Sequence, residues 1–300
     1  MIVVTAPTGN IGGQVVRDLL DAGAPVRVVV RDPARLAPEV AGRVEIVRGS
    51  HGDPAVVAEA FAGADAVFWL VPADPRAATL DAAYSGFARP AIESFAGRGV
   101  GRVVGISALG RGTAVAGRAG HVTATLAMDD LIAATGVPYR ALTMPSFMDN
   151  TVRQVQPIKA QGVFYGPYLP DRPAPTVATR DIAAVAARLL LDDGWTGFGE
   201  VPVLGPADLS YDEMAAIITD VLGRPVRYQQ IPGEAYKANM MKAGMSDAIA
   251  QGLLDMALAK DNGLDHGVTR TPETSTPTTF RQWCTDVLTP ALGELSRPSR

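Results

Sequence analysis

Apolar positions along this chain follow two alternating patterns. Short runs of aliphatic and β-branched residues are separated by stretches in which apolar residues recur every three or four positions. The runs Ile2–Thr5, Val26–Val30, Val44–Val47, Ala66–Val71, Val103–Ser107 and Tyr139–Thr143 predict six buried strands. Between them, helical spacing predicts helices over Ile11–Ala22, Pro54–Ala62, Ala77–Gly97 (with Pro90 as a kink or break) and Thr123–Ala134. Continuous apolar strands alternating with helices imply a parallel sheet covered on both faces.

After Asn150 the pattern loosens. Gly162–Pro175 reads as a loop. Helices are expected over Thr179–Leu191, Tyr211–Gly223, Gly233–Lys260 and Phe280–Leu292, with short strands at Val201–Leu204 and Val226–Ile231. The fold class is therefore α/β, a doubly wound parallel sheet of Rossmann type with a smaller C-terminal α/β substrate-binding region. The expected division is a dinucleotide-binding domain over 1–155, onto which 176–204 packs back, and a substrate-binding cap over 205–300.

Ligands on such sheets bind beyond the carboxyl ends of the strands. Four segments fall at such ends: the opening turn Thr5, Ala6, Pro7, Thr8, Gly9, Asn10, Ile11 and Gly12; Val71–Pro72; Ser107; and Met144, Pro145, Ser146 and Phe147. The opening turn leads from a strand into a helix whose first N–H groups and positive dipole end suit a pyrophosphate. Gly9 and Gly12 let a phosphate approach the backbone and the helix pack on the strand. The second strand ends in Val30-Arg31-Asp32-Pro33. Arg31, assisted by Arg35, is placed for the 2′-phosphate of NADP(H), whereas an acid there would favour NAD; Asp32 is next to it. The cofactor expected is NADP(H).

Composition narrows the class. Of 300 residues, 47% are hydrophobic and 19% charged, enough for a sizeable core. The net charge is −4 and no basic run stands out, so no nucleic-acid partner is expected. No apolar run has membrane-span length and no signal peptide is visible, which points to a cytoplasmic protein without a membrane partner. One cysteine, Cys284, and three dispersed histidines give neither a disulfide framework nor a metal site.

Thr5–Gly12, Val30–Pro33, Gly105-Ile106-Ser107-Ala108, Gly136–Tyr139 with Pro145–Asn150, Thr179–Ala183, and Arg270–Pro272 with Thr278–Phe280 occur in an order and spacing that resembles the NmrA-like family. This is an atypical branch of the short-chain dehydrogenase/reductases, and the resemblance covers nearly the whole chain. It implies either NADP(H)-dependent reduction of quinones and other carbonyl or conjugated compounds, or a non-catalytic NADP(H)-responsive redox sensor. Two departures stand out. Ala6 and Pro7 replace the family's glycine and alanine, and because alanine tolerates positive φ poorly, the turn is expected to use negative φ at Ala6 or to lie slightly differently. Ser146 replaces a frequent glycine.

Chemistry is less legible. None of the seven tyrosines has a lysine four residues on, so the usual Tyr-x-x-x-Lys pair is absent; by resemblance its places fall at about Val122 and Leu126. Ser107 and His121 are the replacement catalytic candidates, against the plainer readings of a strand-end serine and a helix-cap histidine. Asn150, Tyr165 and Tyr168 are candidate substrate-pocket residues, the tyrosines being equally readable as packing aromatics. Met240, Met241, Met245 and Met256 read first as core and second as a pliable wall for flat ligands. The expected function is reduction of a small hydrophobic carbonyl, quinone or enone-like molecule by hydride transfer. The alternatives are the sensor, which needs a protein partner, and a dehydratase, isomerase or epimerase on the same scaffold, or a chain that lost cofactor binding through Ala6 and Pro7. A homodimer is compatible with either main reading.

Overall fold

The computed structural model describes residues 1–97 and 99–294 and divides into two compact units. The first comprises 1–108, 123–143 and 182–202; the second comprises 109–122, 144–181 and 203–300.

The first unit holds a seven-stranded sheet. Its strands are β1 (Ile2–Thr5), β2 (Val26–Val30), β3 (Glu45–Arg48), β4 (Ala66–Trp69), β5 (Arg102–Ala108), β6 (Tyr139–Met144) and β10 (Phe198–Pro202), in the order β10-β6-β5-β4-β1-β2-β3. The registers of β1 with β2 and β4, and of β10 with β6, are parallel. This is the doubly wound Rossmann arrangement expected from the sequence, and strand order reverses between β1 and β4. All four residues of β1 are buried because the strand has neighbours on both edges and helices on both faces. Helix α1 (Asn10–Asp21) buries Ile11, Gly12, Val15, Val16, Leu19 and Leu20 as one stripe. Each large aliphatic side chain buried there contributes about 1.5–3 kcal/mol.

Three more helices cover the sheet after a single turn, α2 (Pro38–Ala41): α3 (Pro54–Phe61), α4 (Phe87–Gly97) and α5 (His121–Ala134). Asp53 starts α3 by accepting from the N–H groups of Ala55 and Val56. The helix expected from Ala77 differs in two respects. Thr79 caps it by accepting from the N–H of Ala82, and Ala82–Gly86 is a wider π turn preceding α4. Pro90, lacking an N–H, sits one turn into α4, where the regular ladder cannot be completed. Phe61, Trp69, Phe95, Met128, Ile132 and Tyr139 form the large side chains of this core.

The second unit contains β7 (Ser146–Phe147), β9 (Ala174–Val177) and β11 (Asp208–Leu209) in one sheet, and β8 (Val163–Gly166) with β12 (Arg227–Gln230) in another. The segment 162–175, expected as a loop, thus supplies β8, which ends in Gly166, and the start of β9, which includes Pro175. Helices α6 (Val155–Gln161), α8 (Tyr211–Leu222) and α11 (Phe280–Trp283) pack through Ile158, Ile218, Phe280 and Trp283. Helix α7 (Thr179–Leu191) has its first turn here, clasped by two carboxylates. Asp149 accepts from the N–H and hydroxyl of Thr179, and Asp181 accepts from the N–H and hydroxyl of Thr278. The single helix expected over 233–260 is two, α9 (Gly233–Lys242) and α10 (Asp247–Asp261). Gly244 adopts φ +93 and Ser246 caps α10 through the N–H of Ile249, so chain direction changes between them. The expected C-terminal helix is likewise interrupted, by a π turn at Cys284–Leu288 before α12 (Thr289–Glu294). None of Met240, Met241, Met245 or Met256 is fully buried, so their first reading, as core, does not hold.

Gly105 in β5 faces the ring of Tyr139 in β6; an added Cβ would lie 2.5 Å from the Tyr139 hydroxyl oxygen. Gly105→Ala is expected to lower stability by about 1–3 kcal/mol. The check is a urea melt: the midpoint falls while the slope stays constant, and an unchanged midpoint contradicts the packing.

Candidate functional site

The opening turn lies at the carboxyl end of β1, beside the point where strand order reverses. Thr5 is wholly buried. Its hydroxyl donates to the carbonyl of Phe68 (3.0 Å) and accepts from the N–H of Leu70 (2.9 Å), fastening the end of β1 to the end of β4. Thr5 therefore positions the turn and the following Val71–Pro72 segment. Ala6 adopts φ +50, the single non-glycine residue with positive φ among those described. The expectation of negative φ is corrected: Ala6 is left-handed, with its carbonyl accepting from the N–H of Gly9 (3.1 Å). Gly12 sits directly against this bend, where a Cβ would lie 2.3 Å from the Ala6 carbonyl oxygen.

The tip of the turn is open. Thr8, Gly9 and Asn10 are exposed, whereas Pro7, Ile11 and Gly12 are buried. Gly9 is the N-cap of α1 and supplies no side-chain cap. The first intrahelical bond is from Gly13 to Gly9 (2.9 Å), which leaves the first-turn N–H groups of α1 pointing outward. Uncapped donors, a positive helix end and the missing Cβ atoms fit a pyrophosphate.

At the end of β2, next to β1, Arg31 and Arg35 are exposed, and neither has an ion-pair partner among the described residues. Asp32 is committed elsewhere: its carboxylate accepts from the N–H of Ala34 (3.1 Å) and caps the short turn Pro33–Arg35. Nearby, His51 is buried edge-on to Trp69 and Phe87 (5.3 and 5.0 Å between ring centres), with Nε2 3.0 Å from the carbonyl of Leu70. Burial lowers its pKa to about 4, with a further push from the Arg31 charge, against the opposing effect of the Leu70 hydrogen bond. The sequence reading passed over His51, since no local pattern links it to β4.

Ser107, near the end of β5, is also buried, and its hydroxyl donates to Asp129. Asp129 is wholly buried on α5 and accepts a second hydrogen bond from the hydroxyl of Tyr139 (2.6 Å). A legible signal existed for Asp129: it shares a helix face with Thr125, Met128 and Ile132, an acid on an otherwise inward stripe. Val122 and Leu126 are buried apolar residues.

The remaining candidates lie in the second unit. His121 is buried, with Nε2 3.1 Å from the carbonyl of Ile249, and burial lowers its pKa. Met144 and Pro145 are buried; Ser146 and Phe147 are partly exposed in β7. Asn150 is exposed on the 3-10 turn Met148–Gln154, and its neighbour Asp149 makes the clasp. The structure does not bring Tyr165 and Tyr168 to one place. The Tyr165 hydroxyl donates to Gln161 (3.0 Å), whereas Tyr168 stacks on Tyr211 (5.0 Å), and burial pushes its pKa up. Cys284 is buried and its thiol is pushed up to about 12, which removes it as a nucleophile. No metal-binding group of three or more residues, and no helix long and apolar enough to cross a membrane, occurs among the described residues.

Comparison with known proteins decides the family. The signature of the NAD(P)H-binding family matches residues 7–193, and that of the NmrA-like family matches residues 125–283. This chain belongs to the NAD(P)H-binding, NmrA-like family. Within the family it is 32% identical over 294 residues to the (4-alkanoyl-5-oxo-2,5-dihydrofuran-3-yl)methyl phosphate reductase of Streptomyces griseus, covering 94% of this chain and 96% of that one. It is 31% identical over 256 residues to the NAD(P)H azoreductase of Xenophilus azovorans, covering 85% and 86%. Its fold matches the NADPH complex of the quinone oxidoreductase QOR2 of Escherichia coli with a TM-score of 0.74 at 21% identity, covering 99% and 100%. The NmrA-like resemblance read from the sequence and the NAD(P)H cofactor are thus borne out.

In this NmrA-like protein Gly12→Ala drives a Cβ into a backbone carbonyl, so NADPH affinity is expected to fall at least tenfold, whereas Ala6→Gly relieves the left-handed alanine and raises stability by about 0.5–1 kcal/mol. Fluorescence titration and thermal melts check both. His51 gives a pH dependence. Its folded pKa lies below the unfolded value of about 6.5, so its contribution is fully present above that pH and is lost as pH falls toward 4. The loss amounts to about 3 kcal/mol. Denaturation from pH 7 to pH 4 should show a shallower decline in His51→Gln than in the parent; equal slopes would contradict it.

Proposed function

We propose that the protein is an NADPH-dependent reductase of a small hydrophobic carbonyl, quinone or conjugated, enone-like compound. The observation that carries the cofactor preference is the pairing of an exposed, unpartnered Arg31 with an Asp32 turned into a local cap. In this reading the first turn of α1 holds the pyrophosphate through Thr8, Gly9, Asn10 and the backbone leading to Gly12. Arg31 and Arg35 hold the 2′-phosphate. Val71 and Pro72 flank the ribose and nicotinamide.

Bound NADPH supplies a hydride. The chain itself offers no acid of the Tyr-x-x-x-Lys type. Quinone and enone acceptors take their proton from water, so the chemistry needs orientation and exclusion of side reactions more than a titrating side chain. Ser107, whose hydroxyl donates to Asp129, keeps its oxygen lone pairs and acts as an orienting group. The names of two relatives, a reductase and an azoreductase each more than 30% identical, support reduction over the sensor reading.

NADPH consumption with a panel of quinones, enones and azo compounds tests the reaction; tight NADPH binding without turnover of any acceptor would sink it in favour of the sensor. Arg31→Ala is expected to weaken NADPH about ten- to hundredfold and leave NADH nearly unchanged. Equal weakening of both contradicts the 2′-phosphate role.

A further inference from the structure

The hydroxyls of Tyr84 and Thr125, both within the first unit, meet at the carboxyl edge of its sheet. Tyr84 lies in the π turn Ala82–Gly86 that leads into α4, and Thr125 lies one turn into α5. A helix that connects parallel strands runs back against the strand direction, so it begins at the carboxyl edge. Helix α4 follows β4, after which come Val71 and Pro72, and α5 follows β5, near whose end lies Ser107. The Tyr84 ring packs on the core of the unit while remaining half-buried, and its hydroxyl is hydrogen-bonded to that of the buried Thr125. Single π turns inside helices are frequent at functional sites.

A quinone or enone held near this edge needs a donor for its carbonyl oxygen. Ser107 cannot be that donor, because its hydroxyl hydrogen goes to Asp129. Asp129 lies four residues beyond Thr125, on the same face of α5. That face thus takes up the hydrogen of Ser107 and holds the phenol of Tyr84. A hydroxyl donates one hydrogen and accepts through its lone pairs, so with Thr125 donating to the phenol oxygen the Tyr84 O–H is left for a ligand. Burial pushes the Tyr84 pKa up, against the lowering effect of the Thr125 hydrogen bond. The phenol therefore stays protonated and serves as a hydrogen-bond donor.

We propose that Tyr84 is a catalytic residue whose hydroxyl donates a hydrogen bond to the carbonyl oxygen of the acceptor, with Thr125 as its positioning residue. The inference rests on the reductase reading and names the donor which that reading lacks. As hydride adds to a quinone or enone carbon, the displaced electron pair collects on the carbonyl oxygen. Tyr84 stabilises that charge without giving up its proton, and the proton that completes the reduction comes from water. A fixed donor aimed at developing charge, in a site that excludes water, is worth far more than the same donor in solution.

Titration of menadione into the NADP+-loaded full chain tests it, with 2-methylnaphthalene (the same skeleton without carbonyls) as comparator. Menadione is expected to bind about tenfold tighter than the hydrocarbon, and Tyr84→Phe, which keeps the ring on the core, should remove that preference. With NADPH, kcat for menadione should fall about ten- to hundredfold in Tyr84→Phe while the Kd for NADPH holds. Thr125→Val should lower kcat about threefold, and Thr125→Ser, which keeps the hydroxyl, should restore it. Equal binding of menadione and hydrocarbon in the parent, a preference that survives Tyr84→Phe, or an unchanged kcat overturns the inference and leaves the reductase reading standing. Absence of turnover in the parent with any acceptor sinks the reductase reading instead, and the binding comparison then decides the role of Tyr84.

Discussion

The contact on which the first unit depends is the approach of α1 to the bend after β1. Gly12 lies so close to the Ala6 carbonyl that no side chain fits between them. That approach lets the helix start immediately beyond the strand, so its positive end faces the space above the carboxyl edge of the sheet. It also forces Ala6 into a conformation alanine disfavours by about 1–2 kcal/mol. The surroundings hold it there: Pro7 and Ile11 are buried on either side, and Thr5 is bonded at both ends to β4. Strain at a ligand-facing turn, fixed by the structure around it, is a recurring arrangement at binding sites.

Below that turn the unit contains a second demanding feature. Asp129 is a wholly buried carboxylate whose described donors are the hydroxyls of Ser107 and Tyr139. Burying a carboxylate is costly unless it is hydrogen-bonded. The two hydroxyls answer part of that cost and, in doing so, fix helix α5 against β5 and β6. Tyr139 lies over Gly105 and stacks on Phe198 of β10 (5.7 Å), so the same side chain links three strands and helix α5. Ser107 is thereby committed as a donor inward, which restricts what it can offer a ligand.

The second unit solves its packing differently. Its aromatic residues gather, with Tyr211 and Tyr228 at 4.6 Å and Phe164 beside them, and burial pushes the pKa of each tyrosine up. Its irregular segments are tied by side-chain carboxylates to threonines, at Thr179 and Thr278. Such ties need no periodic pattern, which is why a chain so rich in Pro, Thr and Gly still forms a packed unit.

The sequence by itself determined the sheet and the turn that opens it. Val3, Val28 and Phe68 sit in unbroken apolar runs because parallel strands are buried on both faces, and that requirement shows in any single segment. The turn at Gly9 and Gly12, and the basic end of β2, were legible for the same local reason. What the sequence left undetermined depends on partners far along the chain. The φ of Ala6 follows from the fit of Gly12; the burial of His51 follows from Leu70, Trp69 and Phe87; the commitment of Ser107 follows from Asp129, 22 residues away. The strands within 162–175 pair with β7, β11 and β12, partners that lie far along the chain for β8 and β9. Backbone strain, titration and the satisfaction of buried polar atoms are sums over neighbours in space, and only the tertiary structure supplies those neighbours.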